Sequence, residues 1–288
     1  MAITMRTNMA SLDGQRNLGS TQQELDASMR KLSSGYRITR AADDAAGLAI
    51  SEKMRTQIIG TNQAIRNAND GISLIQTAES GLGEIQTIVN RVRELAVQAA
   101  NGTLVTADRL AIAKEVDQIR SEMDAIAERT NFNGISLLGA EAGTVTLQIG
   151  ANNTSFDRLQ FDLSAFKTDG ALLSFGDVSG SFVSVSTAGF GSWQTVAQNL
   201  LSASDSAILA LNNKRAQLGA LQNRLEHTVA VQQVASDNLS AANSRIRDVD
   251  VAAESAKMTK ANILMQAGVS VLSQANQQPQ MALKLLGG

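Results

Sequence analysis

Apolar side chains recur every seven residues in long stretches toward both ends of the chain. Leu18, Leu25 and Leu32 set the repeat near the start, with Met29 between the last two. Ile58, Ile65 and Ile72 follow, then Ile75, Leu82 and Val89, with Ile85 and Val92 alongside. Ile112, Val116, Ile119, Met123 and Ile126 step by four, three, four and three. Leu211, Leu218, Leu225, Gln232, Leu239 and Ile246 hold a seven-residue repeat late in the chain. Such spacing gathers one stripe on each helix, and a stripe kept over several heptads describes helices packed side by side, coiled-coil fashion. The pattern predicts a helix over 45–100, about 80 Å long at roughly 1.5 Å per residue. The "NGT" of 101–103 breaks it, and 104–129 folds back as an antiparallel neighbour.

Between these helical parts the period changes. "TVTLQIG" (144–150) and "SFVSVSTAGF" (181–190) alternate, with β-branched and aromatic residues, among many Gly, Ser and Thr. They read as short strands joined by turns. The aromatic residues gather here too: only Tyr36 lies outside 132–193. The expected fold is mainly α, an elongated antiparallel helical bundle or coiled-coil rod with a small β-rich insert at about 135–190.

Composition sharpens this picture. Of 288 residues 43% are hydrophobic and 18% charged, and aromatics make up only 3%. The apolar material is mostly Ala, Leu, Ile and Val, which suits closely approaching helices. A single proline points the same way, since proline breaks helices. The net charge of −2 leaves no general basic field for nucleic acid or an anionic membrane. The absence of cysteine excludes disulfides and thiolate metal sites. No apolar h-region marks a signal peptide and no window approaches 18 uninterrupted apolar residues. By these rules alone the expected location is cytoplasmic.

Candidate chemistry is sparse. In "RITRAADDAAGLAI" (37–50) the carboxylates Asp43 and Asp44 stand close to Arg37 and Arg40, but neighbours on a helix point about 100° apart and cannot share a proton. A helix N-cap with arginine pairing is the better reading. His227 is the only histidine, one position off a leucine stripe, and is expected to be solvated. Phosphate loops, serine elbows and metal-ligand spacings are missing, so no catalytic, cofactor or metal residue is assigned. Asn101-Gly-Thr103 and Asn152-Asn-Thr154 match the short glycosylation acceptor pattern. In "RVRELAVQ", Arg91, Leu95 and Gln98 share a face near but not on the Ile85–Val92 stripe, which reads as an exposed face.

The two ends are both amphipathic. Met5, Met9, Leu12, Leu25, Met29 and Leu32 form one apolar set; Met258, Ala261, Met265, Leu272, Leu285 and Leu286 form the other. Neither has enough chain around it to cover its stripe. Pro279 is expected to open a final helical turn, since its fixed φ suits a first helical position.

Several long motifs resemble one family. "LSSGYRITRAADDAAGLAISEKM", "RNANDGISLIQTAESGLGEI", "RVRELAVQAANGT" and "TNFNGISLL" look like the N-terminal conserved region of bacterial flagellin. "LGALQNRLEHT" and "NLSAANSRIRDVDVAAESAKMTKANILMQAGVSVLSQANQQPQMALKLL" look like its C-terminal counterpart. The resemblance covers nearly everything except about 140–200. It departs in ending on Gly287-Gly288, where many relatives end in arginine, and in its short insert, which implies a form without large outer domains.

The resemblance implies a structural subunit of the flagellar filament that catalyses nothing. It implies export in unfolded form through the flagellum's type III channel, which replaces the cytoplasmic expectation with an extracellular one. It implies as partners further copies of the chain, the flagellar cap, the hook–filament junction proteins, a cytoplasmic export chaperone at the C-terminal helix, and a host Toll-like receptor. By resemblance 1–42 is an inner coiled-coil helix with its connecting spoke, 43–135 the N-terminal rod helices and 136–192 the β-hairpin-rich variable insert. Residues 193–247 are then the C-terminal rod helix and 248–288 the second inner helix. Inner-core assembly falls to Leu25, Met29, Leu32, Met265, Leu272, Leu285 and Leu286. The rod core falls to Ile72, Leu82, Val89, Leu211, Leu218 and Leu225. Arg91, Leu95 and Glu115 match the receptor-facing positions, with Asn90 beside them where a glutamine is often found. Two other readings stay open on the residues alone: a hook–filament junction protein that ends the polymer, and a coiled-coil signalling rod.

Overall fold

A computed structural model describes the backbone of residues 8–139, 141–166 and 190–286, and their side chains except at 165–166, 190–192 and 278–286. The described chain is mainly α-helical. Five helices run in order: α1 (Met9–Ser34), α2 (Ala45–Ala99), α3 (Thr106–Arg129), α4 (Phe190–Arg247) and α5 (Val251–Leu286). Between α3 and α4 lie two antiparallel pairs, β1 (Asn131–Phe132) with β2 (Ile135–Ser136), and β3 (Thr144–Gln148) with β4 (Arg158–Asp162). The chain forms two compact units, one of residues 1–58 with 237–288 and one of residues 59–236.

The larger unit is built on the heptad stripes. Arg91 ion-pairs with Glu115, and Arg109 donates to the Asn101 carbonyl, which sets α3 antiparallel to α2. Gln86 donates to Asn212, Arg93 pairs with Asp205 and Ser236 donates to Asn62, which sets α4 antiparallel to α2 on another side. Along α4, Trp193, Ala197, Leu200, Ser204, Ala207, Leu211, Lys214 and Leu218 are buried at alternating spacings of four and three. Leu225 continues that seam, and Leu82 and Val89 lie in the same core from α2, while Ile72 is half-buried against it. Small residues let the elements approach closely. A Cβ at Gly81 would stand 2.7–2.9 Å from Thr130 and Leu138.

The β3–β4 hairpin packs onto this unit through Leu159 and Phe161, buried on alternate positions of β4 as a one-sided strand requires. Its backbone is held by side chains from the helices: Asn67 Nδ2 donates to the Gln148 carbonyl at 3.0 Å and Gln232 Nε2 to the Ile149 carbonyl at 3.3 Å. Gln232, the one polar member of its heptad row, thus stands where the hairpin backbone offers an acceptor. The alternating run 181–190 lies outside the described residues apart from Phe190, which begins α4.

Two expectations are corrected. Leu95 is not exposed: it is 2% accessible, within the core. Because α2 packs against both α3 and α4, its buried face is wide, and Leu95 stands one turn beyond Val92 on that face. Arg91 and Glu115 meet at 2.9 Å on the surface, without it. Pro279 does not open a helical turn either, since α5 runs through it without interruption to Leu286. The proline φ of about −65° is also a helix-interior value, so nothing in its own geometry forces a start there.

Candidate functional site

The smaller unit begins with a capped helix. Asn8 precedes α1 and its Oδ1 accepts from Ser11 N at 3.1 Å. At the other end Gly35 adopts φ 74°, the left-handed value glycine tolerates, and its N–H closes onto the Lys31 carbonyl. The next residues pair with the segment that leaves α4. Arg37 N donates to the Arg247 carbonyl at 2.6 Å and Val249 N to the Gly35 carbonyl at 3.0 Å. The Arg37 guanidinium donates to the Ile246 carbonyl, while Arg247 lies 4.5 Å over the Tyr36 ring and pairs with Glu52 at 2.6 Å. Ile38 is buried beneath this crossing.

Asp44 acts as the cap of α2, while Asp43 closes the turn before it. Asp44 accepts from Gly47 N at 2.8 Å at the start of α2. Asp43 accepts from the Thr39 hydroxyl and from the amides of Thr39 and Arg40, and the Thr39 bonds above all hold its carboxyl below the ordinary value. The contacts made by both acids are backbone amides and a hydroxyl.

α1 and α5 then pack antiparallel. A Cβ at Gly14 would stand 3.2 Å from Leu272, and one at Gly268 would stand 3.2 Å from Leu18, so each leucine seats over a glycine on the facing helix. Leu25, Ser28, Glu254 and Ala261 are buried in the seam. Ser28 Oγ donates to Glu254 Oε1 at 2.8 Å, and Lys257 approaches the other oxygen at 3.3 Å. Burial pushes the Glu254 carboxyl up, but the bonds from Ser28 and Lys257 outweigh it and hold the group below its ordinary value.

A carboxyl depressed in the folded state contributes stability above its ordinary pKa, lost as pH falls through the depressed one. Acidification below about pH 4.5 should therefore loosen α1 from α5. Glu254→Gln should weaken the pair at neutral pH and make its acid loss shallower. Circular dichroism of the assembled protein against pH checks this, and an acid transition equally steep in both proteins would count against the role of Glu254.

The outer faces of the pair carry exposed apolar side chains among polar ones. Met9, Leu12 and Met29 (54% accessible) on α1, and Ile263 (61%), Leu264, Val269 and Val271 on α5, are uncovered among the described residues. Leu32, Met265 and Leu272 are half-buried, while the side chains of Leu285 and Leu286 lie outside the described residues. Covering such residues contributes about 1.5–3 kcal/mol for each side chain fully buried. Elsewhere His227 is exposed on α4, and among the described residues no three metal-ligating side chains come together.

Sequence reasoning had not singled out Asn8, Gly14, Ser28, Glu254 or Gly268. Each makes a contact with the facing helix, which a pattern read along one helix does not display.

The chain is similar in sequence to known proteins. Residues 5–142 match the bacterial flagellin N-terminal helical region, and residues 201–286 match the bacterial flagellin C-terminal helical region. A flagellin of Halalkalibacterium halodurans is 47% identical, over 97% of this chain and 98% of that protein. A flagellin of Bacillus subtilis is 45% identical over the same shares. The crystal structure of Bacillus cereus flagellin aligns with 58% of this chain and 88% of that one, at 31% identity and a TM-score of 0.47. With matches at both helical regions and near-complete coverage of its relatives, the chain belongs to the bacterial flagellin family, and so is a structural filament subunit and not an enzyme.

Proposed function

We propose that this chain polymerises with copies of itself into the extracellular flagellar filament that drives swimming, after export in unfolded form through the flagellar type III channel without a cleaved signal peptide. The observation that carries this reading is the α1–α5 pair, whose seam is closed while large apolar side chains on both outer faces stay uncovered among the described residues. Two helices bury too little to offset an ordering cost of roughly 1–2 kcal/mol per residue. Neighbouring copies supply the missing cover, and such contacts, being heterologous, extend without closing. The cap and the hook–filament junction proteins bound the polymer. Before export, a cytoplasmic chaperone covers the apolar face of α5. A receptor-facing surface on the larger unit is reduced to the Arg91–Glu115 pair, since Leu95 is withdrawn from it.

The reading predicts folding coupled to assembly. Amide exchange at 9–34 and 251–286 should be fast in the verified monomer and slow in the filament under identical conditions. Slow exchange at both ends of the monomer would sink the idea. A chain that never polymerises would overturn the reading as a whole.

A further inference from the structure

The continuity of α5 through Pro279 leaves an unfinished hydrogen bond. Proline has no amide hydrogen, so the Ala275 carbonyl, one turn earlier, loses the intrahelical partner that residue 279 would otherwise provide. That carbonyl accepts instead from Asn8 Nδ2 at 2.9 Å. The same asparagine accepts from Ser11 N through its Oδ1. One side-chain amide therefore caps α1 with its oxygen and completes α5 with its nitrogen.

This arrangement is selective. Sliding α5 by one residue moves its carbonyls about 1.5 Å along the axis and turns them by about 100°. Other carbonyls in the helix interior already have their amide partners, so they offer Asn8 no comparable vacancy. The Ser28–Glu254 bond joins two adjustable side chains, whereas this tie reads a backbone atom at one position.

We infer that Asn8 and Pro279 are specificity-determining residues for the α1–α5 pair: the proline creates the acceptor, the asparagine reads it, and together they fix the register in which the two helices face neighbouring copies. The last part of this inference rests on the filament reading.

A double-mutant cycle on the full-length protein tests it. Asn8→Asp keeps the capping oxygen, and its charge is favourable at a helix N-terminus, but it has no donor for Ala275. Pro279→Ala restores the amide that satisfies Ala275 within α5. With Pro279 present, Asn8→Asp should raise the critical concentration for polymerisation about tenfold, the effect of one lost hydrogen bond to a part-buried acceptor. In the Pro279→Ala background the same change should raise it by about twofold or less. A merely structural cap at Asn8 would give the same fold-change in both backgrounds, and that result, or no change with Pro279 present, would overturn the inference. If the wild-type chain itself fails to polymerise, the filament reading fails, and the cycle is read from thermal melting of the whole chain by the same criterion.

Discussion

Leu218→Asp should abolish the cooperative melting of residues 59–236. Leu218 is fully buried midway along the α4 seam, between Leu211 and Leu225, in the core that also holds Ile75, Leu82 and Val89. An aspartate there brings a carboxylate into a largely apolar seam, where the one nearby cation on α4, Lys214 a turn earlier, is already engaged in an interaction of its own. The cost is several kcal/mol, a large share of the roughly 5–15 kcal/mol that hold a domain together. Helicity should fall in the isolated monomer, before any assembly is attempted. Leu209→Asp is the control, because Leu209 lies on the same helix but is 66% accessible. It should melt within about 0.5 kcal/mol of the parent. Thermal circular dichroism of the three proteins decides the matter, and parental melting of Leu218→Asp would show that the stripe is not a core.

Leu25→Asp should separate assembly from stability. Leu25 is buried in the α1–α5 seam, one turn before Ser28, whose hydroxyl already serves the buried Glu254. A second carboxylate in that seam has no donor to answer it. The larger unit does not include α1, so its melting should stay at the parental temperature. Polymerisation should fail at concentrations on the order of a hundred times those sufficient for the parent, the equivalent of about 3 kcal/mol lost at each added subunit. Sedimentation of polymer beside calorimetry of the monomer measures both halves. Normal polymerisation would place the assembly contacts elsewhere, and a lowered monomer melting point would show that the two units are not independent.

Much of the helical fold was legible because its information is local. A heptad stripe is written along one segment, and the break at 101–103 and the return of α3 follow from turn residues and period alone. The β3 strand announced itself by alternation and β-branched residues, whereas β4, in which Arg158, Gln160 and Asp162 alternate with Leu159 and Phe161, has no β-branched residue and two charges at its ends. Leu95 was misplaced for a different reason. A stripe drawn through Ile85 and Val92 describes a helix with one partner, and α2 has two. Pro279 shows the same limit: its neighbours in sequence do not disclose that Asn8, 267 positions before Ala275, donates the hydrogen bond that completes the helix. The glycines opposite Leu18 and Leu272 are likewise holes that only a facing helix can reveal.

The hydrogen bond between Ser236 and Asn62 has a consequence for the order in which the chain becomes ordered. Bringing 58 and 237 together from a free coil means closing a loop of nearly two hundred residues, an entropic cost of about 4–5 kcal/mol. Once residues 59–236 have folded, that loop is already shut at its neck, because Asn62 and Ser236 sit beside the two exits. The terminal segments then leave from neighbouring points, each at high effective concentration for the other. Meeting becomes a local event, like the closing of a hairpin. The bond at the neck thus starts the two terminal segments close together, and places their pairing last in time.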